Sequence, residues 1–145
     1  GKRSVDSIHK ELGLIMWDFV GMGRTAEGLK EGIKRIDAIK KEFWTNVYIP
    51  GTADHLNNEL EKALRLADFI EIGRLMAVDA LHREESCGGH FREEYQTPEG
   101  EALRQDDKFS YVGCWKYMGE DQEPQLIKEP LDYEFTERKT RNYKN

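Results

Sequence analysis

Between residues 5 and 81, apolar side chains recur every three or four positions in three successive runs, the period of helices packed side by side. Val5, Ile8, Leu12, Ile15, Phe19 and Met22 form the first stripe. Ser4 is placed to cap that helix at its start, and Gly21-Met22-Gly23 to end it. Thr25 is the expected N-cap of a second helix, with Ala26, Leu29, Ile33, Ile36, Phe43 and Val47 on one face and Ile39 beside them. Gly28 and Gly32 weaken it by about 1 kcal/mol each relative to alanine unless close packing requires them. Pro50-Gly51 breaks the chain, and a third helix is expected to open at Thr52 or Asp54. Its stripe is Leu56, Leu60, Ala63, Ala67, Ile70, Ala77 and Leu81, which Leu64, Leu66, Phe69, Ile72, Leu75 and Met76 widen over most of the circumference. This helix is therefore predicted to be the central, most buried one. Short breaks favour antiparallel neighbours, so residues 1–84 read as an up-down-up three-helix bundle, spectrin-repeat-like, in a mainly α fold.

After His82 the periodicity stops. Glu84 to Asp107 reads as a long loop with turns at Gly88-Gly89 and Pro98-Glu99-Gly100. Phe109, Tyr111, Trp115 and Tyr117 then follow a period-two rhythm that predicts a strand. Beyond Pro124, Leu126 to Phe135 offers a second strand with Leu131, Tyr133 and Phe135 on one face, and Glu137 to Asn145 reads as a charged, frayed tail. A lone hairpin is marginal in water, so residues 85–145 are expected to pack on the bundle as an extension of one structural domain.

Composition narrows the functions. A length of 145 residues suits one domain, and 10% aromatic residues argue against disorder. No apolar run approaches the roughly 18 residues that a membrane span needs, and the first residues lack the apolar core of a signal peptide. Two cysteines are too few for a disulfide scaffold, which favours a reducing compartment and a soluble chain. A net charge of -6 argues against nucleic acid as a partner. The acids gather between Glu84 and Asp107, a solvated loop or a face for a basic partner.

His82, Glu84, Glu85, Cys87 and His90 lie close in sequence and raise the possibility of a metal site, yet no second ligand pair follows at zinc-finger spacing and Cys114 stands alone. A Cys87 nucleophile activated by His90 is the other chemical reading, opposed by acidic neighbours that would raise the thiol pKa. Gly21-Met22-Gly23-Arg24 follows a helix and lacks the strand that a dinucleotide-binding turn requires. No complete catalytic constellation is present.

The stretch from Arg83 to Tyr95, Arg83-Glu84-Glu85-Ser86-Cys87-Gly88-Gly89-His90-Phe91-Arg92-Glu93-Glu94-Tyr95, resembles the R-x-E-S-R-G-x-H-x-R-x-D/E segment of the flavoprotein subunits of succinate dehydrogenase and fumarate reductase. Leu56 to Glu71 is similar to the long helix of that family's carboxy-terminal domain. Asp107 to Tyr117 followed by Gln125 to Tyr133 is similar to its terminal hairpin. The resemblance runs over nearly the whole chain, with one departure: Cys87 stands where the family usually has arginine.

That resemblance implies a C-terminal helical domain that follows an FAD-binding Rossmann-like domain and a mobile capping domain. The family's flavin-attaching histidine, substrate-binding residues and proton-donating arginine belong to those earlier domains. No catalytic, cofactor-binding or metal residue carries over to this sequence, and the chain alone is expected to bind no FAD and to be inactive. The implied partners are the FAD-binding and capping domains of the same chain, the iron–sulfur subunit and the membrane anchor subunit. The implied site is peripheral, on the cytoplasmic side of the inner membrane, in an enzyme passing a hydride between succinate or fumarate and FAD. Arg83, Glu85, Ser86, Gly88, His90 and Arg92 are expected either to satisfy their own loop or to form a docking surface. Trp17, Trp44 and Trp115 are expected in the core or at domain contacts. The alternatives are a free-standing three-helix interaction module and the similar C-terminal domain of L-aspartate oxidase.

Overall fold

Three amphipathic stripes become three helices in the computed structural model, which describes residues 1–141. Helix α1 spans Val5–Val20, α2 spans Ala26–Asn46 and α3 spans Asn58–His82. The Ser4 hydroxyl accepts from the Ser7 N–H and the Thr25 hydroxyl from the Gly28 N–H, so both expected N-caps act as such. Val5, Ile8, Leu12 and Ile15 of α1 pack with Ile36, Ile39 and Phe43 of α2 and with Ala63, Leu66 and Ile70 of α3. At the opposite end Val20, Leu29, Ala77 and Ala80 form a second cluster. Early α1 thus meets late α2 and early α3, which is the up-down-up arrangement. Each fully buried leucine or isoleucine contributes roughly 1.5–3 kcal/mol. Gly32 is buried against Phe19, where an added Cβ would stand 3.0 Å from the Phe19 Cβ. Close packing therefore favours glycine there, since a Cβ would push on Phe19.

Two short parallel strand pairs fasten the bundle ends. At one end β1 (Arg3–Ser4) pairs with β3 (Val47–Tyr48), and Arg3 bridges Glu11 and Glu42. At the other, β2 (Gly23–Arg24) pairs with β4 (Phe91–Arg92), joining the α1–α2 turn to the loop after α3. A single-turn helix α4 (Asp106–Phe109) leads into the antiparallel hairpin of β5 (Tyr111–Lys116) and β6 (Gln125–Pro130).

Four details depart from the sequence reading. Helix α3 opens at Asn58, not at Thr52 or Asp54, because the Asn57 amide serves both sides of the junction. Its Oδ1 accepts from the Glu59 and Leu60 N–H groups while its Nδ2 donates to the Pro50 and Thr52 carbonyls. Leu56 consequently lies in the loop, 96% exposed. Helix α3 is not apolar-buried all round: small residues Ala63, Gly73, Ala77 and Ala80 join Leu66 and Ile70 inside, whereas Leu64, Phe69, Ile72 and Met76 face outward. Two neighbours can cover only one side of a helix. Met22 lies beyond the end of α1 and is exposed; Trp17 and Trp44, expected in the core or at domain contacts, lie on the surface. Strand β6 ends at Pro130, short of Phe135; of the tail, residues 137–141 are exposed and 142–145 lie outside the described residues.

Asn57→Ala is expected to lower stability by about 1 kcal/mol, since the cap and the loop tie go together. Thermal denaturation should register a fall of roughly 4 °C. An unchanged melting temperature would mean that the α3 start is held by other groups.

Candidate functional site

The polar side chains of the 83–105 loop converge on the bundle end where α1 and α3 finish and α2 begins. Unpaired carbonyls crowd a helix C-terminus and unpaired N–H groups its N-terminus, so this end exposes two negative poles and one positive pole. Arg92 is 2% exposed, and its Nη1 donates to the carbonyls of Ala80 at 3.1 Å, Leu81 at 3.2 Å and Arg83 at 3.4 Å. It caps α3. Arg24 does the same for α1, with Nε donating to the Gly21 carbonyl at 2.7 Å and Nη2 to the Val20 carbonyl at 3.3 Å. Glu94 takes the opposite pole, its Oε1 accepting from the Ala26 N–H of α2 at 2.5 Å. Partial burial works against ionisation of Glu94, but the bonds from Ala26, from its own N–H and from Arg92 outweigh it and hold the carboxyl below its usual range.

The remaining motif residues lock this clamp. The Ser86 hydroxyl is fully buried, accepts from the Arg92 N–H at 2.9 Å and donates to the Arg92 carbonyl. Buried Glu85 receives Arg83 Nη1 at 3.0 Å and the Gln105 N–H. Arg83 also donates to the carbonyls of Phe109 and Tyr111, tying the loop to the root of the hairpin. Gly88, at φ +58°, and Gly89 make the turn that lets Cys87 and His90 exchange backbone hydrogen bonds.

His90 is fixed in one tautomer. Arginine can only donate, so Arg24 Nη1, at 2.7 Å, donates to Nδ1; the proton then resides on Nε2, which donates to the Arg83 carbonyl at 2.9 Å. Burial first, then the Arg24 and Arg92 charges, lowers the His90 pKa, against the pull of the Arg83 carbonyl. With both nitrogens committed, His90 has no free lone pair for a metal and cannot serve as a base for Cys87. Among the described residues no group of three or more His, Cys, Asp and Glu side chains could hold a metal ion. The flavin that the resemblance implies does not fit here either. The α2 N-terminal N–H groups that would meet a phosphate are taken by Glu94 and Thr25, and the 370 Å³ cavity beside the loop is lined by Arg83 and Arg104, both bonded to protein acceptors.

The structure brings all six motif residues together and adds Glu94, which stands at the acidic end of the quoted stretch, and Arg24, which the sequence reading gave no such role. Arg24 directly follows Gly23 after a helix end, and a cation at that position is the one available signal. Cys87 is exposed, and among the described residues no buried side-chain polar atom lacks a partner, so the position that usually carries arginine leaves nothing orphaned.

A neutral native His90 makes stability depend on pH. Its folded pKa lies below the ordinary value near 6.5, so the unfolded chain takes up this proton first as pH falls. The contribution is complete above about pH 6.5 and is lost as pH drops through the folded value. Denaturation midpoints from about pH 7.5 to about pH 5 should decline more steeply in the native chain than in His90→Gln. Equal slopes would show that His90 is not held neutral.

The charged side chains Arg24, Arg92 and Glu94 at this end are bonded to the helix ends, while Glu84 and Glu93 face solvent. Residues 9–143 match the family model described as fumarate reductase flavoprotein C-term, and the chain belongs to that family. It is 32% identical over 95 residues to an uncharacterized FAD-dependent oxidoreductase of Methanocaldococcus jannaschii, covering 66% of this chain and 16% of the relative. The fumarate reductase flavoprotein subunit of Helicobacter pylori is 29% identical over 134 residues, 91% of this chain and 18% of the relative. An L-aspartate oxidase of Yersinia pestis is 33% identical over 88 residues, 59% of this chain and 15% of the relative. In a structure of Escherichia coli quinol fumarate reductase, the FrdA chain superposes with a TM-score of 0.80 at 25% identity, over 96% of this chain and 23% of FrdA. The chain thus spans less than a fifth of the length of these three curated relatives.

Proposed function

We propose that the chain is the supporting C-terminal domain of an FAD-dependent succinate/fumarate oxidoreductase, in which hydride passes between the dicarboxylate and FAD in domains outside this sequence. The observation that carries the reading is the match to the Helicobacter pylori fumarate reductase subunit over 134 residues, which includes bundle, clamp and hairpin. The family membership also favours it over a free-standing interaction module. On this reading the chain has no chemistry of its own and contributes rigidity. Residues 1–84 form the bundle and 85–145 its extension, and the six motif residues act as a structural clamp rather than a docking surface. The exposed apolar face of Phe69, Ile72 and Met76, beside Met16 of α1, is the surface for the FAD-binding and capping domains. Exposed Trp17 and Trp44 serve domain or subunit contacts, including those to the iron–sulfur subunit. Among the described residues no helix is long and apolar enough to cross a membrane, which suits a peripheral subunit attached through a membrane anchor partner on the cytoplasmic side.

L-aspartate oxidase is the second reading, favoured by the Yersinia pestis relative. Protein from the complete reading frame separates the two. Succinate-dependent dye reduction supports the first, whereas aspartate-dependent reduction without it moves the assignment to the second. Neither activity would overturn both.

A further inference from the structure

We propose that the β5–β6 hairpin is a proton-sensitive flap, latched on the last turn of α3 by neutral His82 and released when that side chain takes up a proton. Asp79, His82 and Arg83 stand at spacings of three and four, on one face of α3, and each holds the hairpin. Asp79 Oδ1 accepts from Trp115 Nε1 at 2.8 Å, His82 Nε2 lies 2.6 Å from the Tyr111 hydroxyl, and Arg83 donates to the Phe109 and Tyr111 carbonyls. The Tyr111 side chain is buried. Its ring already carries two cations, with the Arg83 guanidinium 4.9 Å and the Lys128 ammonium 4.7 Å from its centroid. A charged His82 would bring a third positive group to the same tyrosine, inside a setting closed by the Phe109 and Trp115 rings.

The groups facing His82 are unequal. Burial first, then Lys128 from the hairpin and Arg83 from its own helix end, disfavours the imidazolium, while Asp79 and Glu84 favour it. Asp79 is already engaged by Trp115 and Glu84 is exposed, so the disfavouring groups prevail and the docked pKa lies below the free value. Docking is therefore complete above about pH 6.5 and weakens as pH falls, by about tenfold for each unit separating docked from free His82. Arg83 holds the Phe109 and Tyr111 carbonyls independently of His82, so the hairpin pivots at residues 109–111 rather than leaving. That motion opens the cavity beneath, whose wall includes Asp79, Tyr111 and Leu131.

The test is nuclear magnetic resonance and amide hydrogen exchange on this chain between about pH 7.5 and about pH 5. The Trp115 indole N–H signal and the protection of residues 111–130, corrected for intrinsic exchange, should fall together with the His82 titration while the α1–α3 amides stay protected. His90→Gln should leave that hairpin midpoint in place, which separates the latch from the clamp. Hairpin protection that persists through the His82 titration would overturn the proposal, as would loss of α1–α3 protection at the same midpoint.

Discussion

Leu66→Asp is expected to abolish the cooperative folding of the bundle. Leu66 is 1% exposed on α3, in the apolar cluster with Val5, Ile8 and Ile70. The substitution removes roughly 1.5–3 kcal/mol of apolar burial and leaves a carboxylate in a dry core, at a further cost of several kcal/mol. A domain of this size has a stability of only about 5–15 kcal/mol, so most of it would be gone. Far-ultraviolet circular dichroism should show no sigmoidal melt. Leu64→Asp, on the same helix but 62% exposed, should change stability by no more than about 0.5 kcal/mol. A cooperative melt of Leu66→Asp at the wild-type temperature would show that this face of α3 is not the core.

The second large effect concerns the clamp. Arg92→Met keeps the volume of the stem but deletes the side-chain donors that cap α3, leaving the Ala80 and Leu81 carbonyls without them and depriving Glu94 of its cation. Breaking a buried charged network in this way costs about 3–5 kcal/mol, which corresponds to a fall of about 10–20 °C in melting temperature. Arg92→Lys should recover only part of the loss, because a single ammonium lacks the planar, forked donor geometry of the guanidinium. Denaturant midpoints decide the matter. A Met variant within about 1 kcal/mol of wild type would mean that the end of α3 is stable without the Arg92 cap.

The helices were legible because their apolar positions repeat every three or four residues and hydroxyl caps precede two of them. Ser4 and Thr25 cap as expected. The start of α3 was misplaced because Thr52 and Asp54 offer equally good local chemistry, and only the reach of the Asn57 amide back to Pro50 decides between them. The outward face of α3 was unreadable for a different reason. Leu64, Phe69, Ile72 and Met76 carry the same apolar signal whether they meet this bundle or some surface outside it, and sequence periodicity does not distinguish the two. Of the clamp, the Arg83–Arg92 stretch was evident as a dense polar motif beside two glycines. Its purpose was not, because its partners Arg24 and Ala26 lie far away in sequence, 66 residues from His90 and 68 from Glu94. Helix poles that meet only in the folded bundle leave no local trace.

The most direct test of the central claim is a side-by-side purification of this 145-residue chain and of the protein made from its complete reading frame, each examined for flavin absorbance. The account expects the longer protein to be yellow with stoichiometric FAD and the short chain to fold colourless and to bind no added FAD. A short chain that retains flavin, or a complete protein that carries none, would contradict it.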